Sequence, residues 1–413
     1  MRLLFDPHCH VMSLARPALA PFMDALGQRK GEAIFAQVAS PGYLLMSFFR
    51  RGGSAARNLL SVVESDPAAV LMLIEDDLAG RYREPGGPAP APLSDAKGYW
   101  CLGSHWDAWC LCPLVMDFGR PVPGLAPGYY PSMPAKSLEE GVREILAGIQ
   151  GYRRARPRGR LVARPFLGLD PGFRGPAATE ELLHRYFSGY KRAAREQLAA
   201  FKALSRWGGD PWAPPANAFA GVKLYPPLGF EPWPGDARGR DAVRELYSYC
   251  QRRRIPITVH CDDQGYRSVS IERALHSTDP ARWLSVLKEY PELIVNFAHF
   301  GERYLPPPRG ERKDGWTMAI VSLMERYPGV YADVSFNGSD VEYWDRLAAF
   351  IDALPAEGAA AVRSRLMYGT DFFINLTKSR SYLDYAHGFL RSPLDDELKR
   401  SMLHDAPQRF LME

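Results

Sequence analysis

No stretch of this 413-residue chain approaches the ~20 consecutive apolar residues that a membrane-spanning helix needs. Nor does a charged n-region with an apolar h-region precede the strand-like residues that begin at Arg2 or Leu3, so no secretory signal is expected. Cysteine is scarce: Cys9, Cys101, Cys110, Cys112, Cys250 and Cys261 show no framework spacing, which argues against a disulfide-stapled fold. They read as reduced core residues of a cytoplasmic protein. Cys110-x-Cys112 lacks the second ligand pair of a zinc site. Charge of one sign is also scarce, with a net of +4. The basic residues are dispersed except in Arg153-Arg154-Ala155-Arg156-Pro157-Arg158 and Arg252-Arg253-Arg254. Each run reads as a solvated helix end before a strand, or as a phosphate-binding patch. One short run is too little to indicate nucleic acid. No internal repeat is visible.

What the chain does have is apolar residues, 46% of the total, with an ordinary 24% charged. Short apolar, β-branched runs alternate with helical patterns, the signature of an α/β fold with a parallel sheet. Eight runs read as core strands: Leu3–Pro7, Ala108–Val115, Leu161–Phe166, Ala220–Leu224, Ile257–His260, Ile294–His299, Val330–Val334 and Leu366–Thr370. Most lack polar/apolar alternation, as strands covered on both faces do. Helices are expected over Ser137–Tyr152, Glu180–Trp207, Asp241–Arg253, Pro280–Glu289, Trp316–Arg326 and Val341–Leu354, and one opens at Asp66-Pro67. Eight strand–helix units in one domain of this length favour a (β/α)8 TIM barrel over an open doubly wound sheet. Residues 11–107 exceed one crossover and are expected to form a helical insertion after strand 1. The stretches Gly119–Pro134, Trp207–Phe219 and Glu302–Trp316 are expected as long loops, candidates for lids or pocket walls.

The polar residues on these strands are unevenly placed. The first strand ends in Asp6-Pro7-His8-Cys9-His10, and i and i+2 on a strand share a face, so two imidazoles can aim at one point. Strand 5 ends in His260 and strand 6 in His299, and Asp371 follows strand 8. Four of the nine histidines thus stand at strand ends, which converge on one mouth in a barrel. Lys223 sits in Gly221-Val222-Lys223-Leu224-Tyr225-Pro226 on strand 4. Arg164 on strand 3 could bind a substrate carboxylate through its guanidinium fork, or pair with Asp170 or Glu302. Asp117, Tyr225 and Asp262 lie just past strand ends, with Tyr225 a candidate for substrate binding. Asp333 on strand 7 is placed to orient a ligand histidine from behind. The remaining histidines, His105, His184, His276, His387 and His404, read as surface or capping residues.

The motifs Asp6-Pro7-His8-Cys9-His10, Val259-His260, Ala298-His299-Phe300-Gly301 and Tyr368-Gly369-Thr370-Asp371 resemble the amidohydrolase superfamily. The likeness is nearest its amidohydrolase-related branch, and the strand-4 segment is also similar to dihydroorotases. The resemblance implies that His8, His10, His260 and Asp371 bind a divalent metal, expected to be zinc, with His299 a further ligand or catalytic group. One ion is expected, or two if Lys223 is carboxylated and bridges them. Lys223 could instead hold a substrate anion or pair with a carboxylate. A zinc site of neutral imidazoles and one carboxylate leaves a position for water, whose pKa falls to about 7. Asp371 would take that water's proton and return it to the leaving group. The expected reaction is hydrolysis of an amide, lactone or ester in a small, anionic substrate. The alternative is non-oxidative decarboxylation of an aromatic or dienoic acid. A non-catalytic binding barrel predicts a broken ligand set, which this is not. No nucleic acid or membrane partner is expected, and self-association into a homo-oligomer stays open.

Overall fold

In this computed structural model the described residues are 1–13, 58–59, 61–63, 65–82, 90–118, 136–306 and 312–413. Nine short strands carry the fold. β1 (Leu3–Cys9), β2 (Ala108–Pro113) and β3 (Leu161–Ala163) form one parallel sheet in the order β1-β2-β3. β4 (Phe166–Gly168), β5 (Gly221–Leu224), β6 (Ile257–Val259), β7 (Val295–Phe297), β8 (Val330–Asp333) and β9 (Leu366–Met367) form a second, all neighbours parallel and in chain order. A single parallel bridge, Leu114 to Phe166, links the sheets at one edge, and Cys9 to Phe372 links them at the other.

β3 and β4 correspond to the one strand expected at Leu161–Phe166. Arg164-Pro165 separates them, because proline has no N–H for a ladder. The Pro165 carbonyl still accepts from Ala220 N–H, so the two pieces stay in line. The long helix expected over Glu180–Trp207 is likewise two. Pro176–Phe187 stops at Ser188-Gly189, and Ala194–Arg206 begins after a bend. There the Gly189 N–H turns to the Ala216 carbonyl and the Gln197 amide donates to the Lys191 carbonyl. Helical spacing of apolar residues persists through such a bend, so periodicity alone does not reveal it.

Helix α1 (Pro67–Leu78) begins where Asp66 accepts from Ala69 N–H and Pro67 takes the first position. Helix α2 (Leu138–Ala155) begins in a reciprocal Ser137/Glu140 capping box. α2 buries Leu138, Val142, Ile145, Leu146, Ile149 and Tyr152 along one stripe, and α1 packs on it. Within the expected insertion the described regular parts are α1, helical residues at 58–59 and 61–63, and a small hairpin, Tyr99–Cys101 against Ser104–Trp106. Residues 14–57, 60, 64 and 83–89 of that insertion, and the expected loop Gly119–Pro134, lie outside the described residues. Trp207–Phe219 is a loop, and within 302–316 the described part ends in a helix that starts at Gly315.

Burial divides the strands by parity. Leu3 and Phe5 of β1, Cys110 and Cys112 of β2, and Phe166, Tyr331 and Met367 of the second sheet share one apolar cluster. Phe410, Leu411 and Met412 of the C-terminal helix complete that cluster. Leu4, Trp109, Leu111 and Leu167 point the other way, into the larger cluster shared with the helices. Both faces of the strands are therefore buried, as their continuous apolar runs require.

β1 breaks this parity once. Its register shifts between Asp6 and Cys9. Asp6 still faces outward, onto Tyr382 of the helix-side cluster. Cys9 joins Leu4 in that outer cluster although it lies an odd number of positions further along, which on a regular strand would put it on the opposite face. A bulge inserts one residue and reverses the faces, and it turns His8 and His10 to the side that Leu3 and Phe5 occupy lower down.

Where β2 runs past β4, the approach is close enough that only glycine fits. A Cβ on Gly168 would lie 2.3 Å from the Val115 carbonyl oxygen and 2.6 Å from Asp117 N. Gly168→Ala is expected to cost about 1–3 kcal/mol, as overpacking against rigid backbone does. A denaturant midpoint equal to that of the parent chain would contradict the described contact.

Candidate metal centre

Five side chains meet at the C-terminal ends of β1, β6 and β7 and just past β9. His8 Nε2 stands 3.4 Å from one oxygen of Asp371, and His10 Nε2 stands 3.2 Å from the same oxygen. The other nitrogen of each ring is engaged from behind. His8 Nδ1 is 3.1 Å from Asp333 Oδ2, and His10 Nδ1 is 3.3 Å from the Leu114 carbonyl. A carbonyl oxygen only accepts, so His10 carries a proton on Nδ1 and Nε2 is the nitrogen left to face Asp371. Asp333 likewise holds a proton on His8 Nδ1 and leaves Nε2 toward Asp371.

A second group adjoins the first, with the His8 and His299 rings 4.9 Å apart. His299 Nε2 faces His260 Nδ1 at 3.2 Å. His260 Nε2 is 2.9 Å from Asp262 Oδ1, and His299 Nε2 is 3.8 Å from Asp262 Oδ2. His299 Nδ1 lies 3.0 Å from the Ser335 carbonyl, which again leaves Nε2 to point inward. Among the described residues, three sets bring metal-competent atoms within 4.8 Å of one another: His8/His10/Asp371, His260/Asp262/His299 and His8/His299/Asp333, all buried.

Asp333 is the hub. Besides His8 it accepts from Asn296 Nδ2 (2.6 Å), His299 N–H (3.2 Å), Ser335 N–H (3.1 Å) and the Ser335 hydroxyl. Burial opposes its charge, but the neighbouring His8 overcomes that and holds the carboxyl far below the usual range. In return, burial depresses His8, and Asp333 outweighs it to lift the imidazole to about 8. Asp371 is likewise well below the ordinary carboxylate range; burial resists this, and hydrogen bonds from His10 and His8 prevail. Burial brings His299 down to about 4, so it is neutral at physiological pH.

The loop that carries Asp371 is pinned to β1. Thr370 and Asp371 N–H both donate to the His8 carbonyl, at 3.2 and 2.8 Å. Asp6 accepts from His8 N–H, Thr370 N–H, Thr370 Oγ1 (2.6 Å) and Tyr382 Oη (2.9 Å). A Cβ on Gly369 would come within 3.1 Å of His8 Cβ and 3.0 Å of Ser335 Cβ, so a larger residue there would push β1 or the turn at Ser335 aside by a few tenths of an ångström. Asp371 and His299 both adopt positive φ, 54° and 62°. Non-glycine residues hold such backbone only where surrounding contacts over-determine it, commonly at functional sites.

Lys223 is 1% exposed, and among the described residues its Nζ has no hydrogen-bond partner. Burial lowers its pKa to about 8, against the pull of Asp333, Asp371 and Asp262. Its Nζ lies 5.7 Å from the Tyr225 ring centroid, and that ring packs against His260 at 4.6 Å, tilted by 43°. The Tyr225 hydroxyl accepts from Tyr266 N–H. Lys223 and Tyr225 therefore join the cluster. Arg164 does not. It is fully buried, and its guanidinium donates to the carbonyls of Asn217, Ala218 and Phe219 and to Gln197 Oε1 (2.9 Å). It pairs with neither Asp170 nor Glu302, and its guanidinium, expected as a substrate-carboxylate ligand, is engaged by these protein groups. Asp117 is taken up by Arg174, at 2.7 and 2.9 Å.

The sequence pattern pointed to no role for Ser335, Asn296 or Asp6, although Asp6 opens the motif Asp6-Pro7-His8-Cys9-His10. It pointed only weakly to Asp262. The missed signal was polar residues in otherwise apolar strands, Asp6 and Asn296, which need partners when buried.

The sequence profile of the amidohydrolase family matches residues 170–412, more than half of the chain. The chain belongs to the amidohydrolase family, and is accordingly an enzyme of hydrolase type. No curated protein matches it by sequence. Among solved structures it is similar to a probable 2-pyrone-4,6-dicarboxylic acid hydrolase from Acinetobacter baumannii, with 14% identity and a TM-score of 0.38 over 74% of this chain and 84% of that one. It is also similar to an amidohydrolase 2 from Bifidobacterium longum subsp. infantis, with 10% identity and a TM-score of 0.41 over the whole of both chains. A dihydroorotase from Campylobacter jejuni shows 11% identity and a TM-score of 0.33 over 74% of this chain and 75% of that one.

Replacing Asp333 with alanine strands a buried imidazole and four further donors. The expected loss of stability is about 3–5 kcal/mol, read by chemical denaturation of chelator-treated protein. A loss below about 1 kcal/mol, the size for an exposed pair, would contradict the hub.

Proposed function

We propose that the chain is a metal-dependent hydrolase that cleaves an amide, lactone or ester bond in a small, anionic substrate. Its two sheets are read as one eight-stranded (β/α)8 barrel, with β3 and β4 as a single interrupted strand and residues 11–107 as an insertion. The observation that carries the reading is the convergence of His8 Nε2 and His10 Nε2 on one oxygen of Asp371, with each Nδ1 engaged from behind. Ligands ~2.1 Å from a tetrahedral centre stand ~3.4 Å apart, and the observed 3.4 and 3.2 Å separations match that edge. His260 Nδ1 and His299 Nε2, 3.2 Å apart, fit the same spacing.

In this reading His8, His10, His260 and Asp371 hold one divalent ion, zinc by the mixed imidazole–carboxylate set, with His299 as a further ligand. When bound, the ion supplies an activated water at neutral pH and polarises the scissile carbonyl. Asp371 stays ionised in the apo site and accepts the proton of the attacking water, then returns it to the leaving group. His299, neutral and held by Ser335, is placed to bond the reacting oxygen or to complete the ligand set. Tyr225 and Lys223 line the substrate side. The orphaned Nζ of Lys223 suits carboxylation, which would turn a buried cation into a bridging anion and admit a second ion. A substrate anion would satisfy it equally.

Elemental analysis of purified protein, with activity on a panel of lactones, esters and amides, tests the reading. One zinc per chain is expected, and two only if mass spectrometry finds one added carboxyl group on Lys223. Asp371→Ala should lower kcat/KM by about 10²–10⁴, and His10→Ala should abolish stoichiometric metal binding. Oxygen from labelled water should enter the product; release of carbon dioxide instead would replace hydrolysis by decarboxylation.

A further inference from the structure

The basic run Arg153-Arg154 has no part in the metal centre. It borders a cavity of about 790 Å³ at the opposite, N-terminal ends of the strands, beside Ala108 and Val162 where β2 and β3 begin. Five basic side chains line it: Arg153 and Arg154 from the end of α2, Arg160 before β3, and Lys202 and Arg206 from the helix Ala194–Arg206. The volume falls within the ~300–1,000 Å³ of small-molecule sites.

Two of these cations are already occupied. Arg153 donates to the carbonyls of Gly159 and Leu161, and Arg160 to those of Asp95 and Ala96. The side chains of Arg154, Lys202 and Arg206 make no hydrogen bond or ion pair among the described residues. The acidic group in the lining is Asp107, and its carboxylate accepts from Arg2 N–H. A helix C-terminus favours a nearby cation, which accounts for one basic residue at each helix end. It does not account for Lys202, and together the three exposed cations border one concavity from two helices with no described carboxylate paired to them, so an anion entering it meets all three. Trp207 and the buried Phe201 add apolar wall beside them.

We propose that this cavity binds a small molecule bearing a phosphate group. Arg154, Arg206 and Lys202 are the anion ligands, and the aromatic wall covers the organic part. A lone phosphate ion would leave most of the volume unfilled. The concave shape favours a small molecule over a nucleic acid, which would track an open stripe of charge. The site is independent of the metal centre.

Calorimetric titration of the metal-loaded, full-length protein tests this, with AMP, ribose 5-phosphate, inorganic phosphate and adenosine as probes. AMP and ribose 5-phosphate are expected to bind saturably and more tightly than inorganic phosphate, and adenosine not at all. Each lost charge-assisted contact is expected to weaken binding about tenfold, read in Arg154→Ala and Arg206→Ala. Lys202→Glu, a single reversal on an exposed side chain, should remove binding while leaving the unfolding midpoint unchanged. His10→Ala should bind the probes as the parent does. Absence of saturable binding at millimolar probe, equal affinity in all three cavity variants, or loss of binding in His10→Ala alone would each overturn the proposal. Tight binding of a single-stranded oligonucleotide that AMP does not displace would overturn it in favour of a nucleic acid.

Discussion

A carboxylate with no access to water must be met by donors on every side, and Asp333 imposes that condition on the whole mouth of the fold. It is 0% exposed and draws on a ring nitrogen of β1, an amide of β7, two backbone N–H groups and a hydroxyl. An ionised group stripped of these partners costs far more than one hydrogen bond. The partners are therefore held as a set, and the set fixes His8's tautomer, the left-handed turn at His299 and the position of Ser335. Asp6 does parallel work on the other flank. There burial lifts its carboxyl to about 6, partly offset by the hydrogen bonds from Thr370 and Tyr382. Between them the two acids tie β1 to the segments that follow β7, β8 and β9.

The strands divide their chemistry by end. One face of the strands is packed below the mouth with Leu3, Phe5, Cys110, Phe166 and Tyr331, closed by Phe410 of the C-terminal helix, and the polar residues inside the strands, such as Asn296 and Thr258, bond to one another or to Asp333. Polar residues begin where this packing stops. A rigid apolar floor lets charged and strained residues above it hold one geometry.

Much of this was legible in the sequence, for a physical reason. Strands buried on both faces must be apolar throughout, so a histidine or aspartate at the end of such a run is conspicuous. His8, His10, His260, His299 and Asp371 were found that way, and the structure brings all five together. Lys223 was found as the polar interruption of a strand. Arg164 looked the same in one dimension, yet its guanidinium turns to backbone carbonyls, because a long side chain on an interrupted strand can reach away from the mouth. The break between the helices at Gly189 was hidden, since apolar spacing continues across it. Ser335 was invisible, because a serine carries no positional signal until the carboxylate beside it is known.

The bulge in β1 deserves to be seen as a matter of counting. Side chains on a strand have only two directions, so the aim of His8 and His10 depends on whether the number of residues from Phe5 is odd or even. With the one-residue shift between Asp6 and Cys9 the imidazoles face inward; without it they would lie in the helix-side packing with Leu4. The His-x-His spacing sets how far apart the two rings stand, while the bulge sets which side of the wall they are on. A single-residue deletion between Asp6 and His8 would preserve every residue of the pair and still turn it away from Asp371. Length in this segment therefore carries as much chemical information as composition, and a histidine pair of equal spacing on an unbulged strand would not be its equivalent.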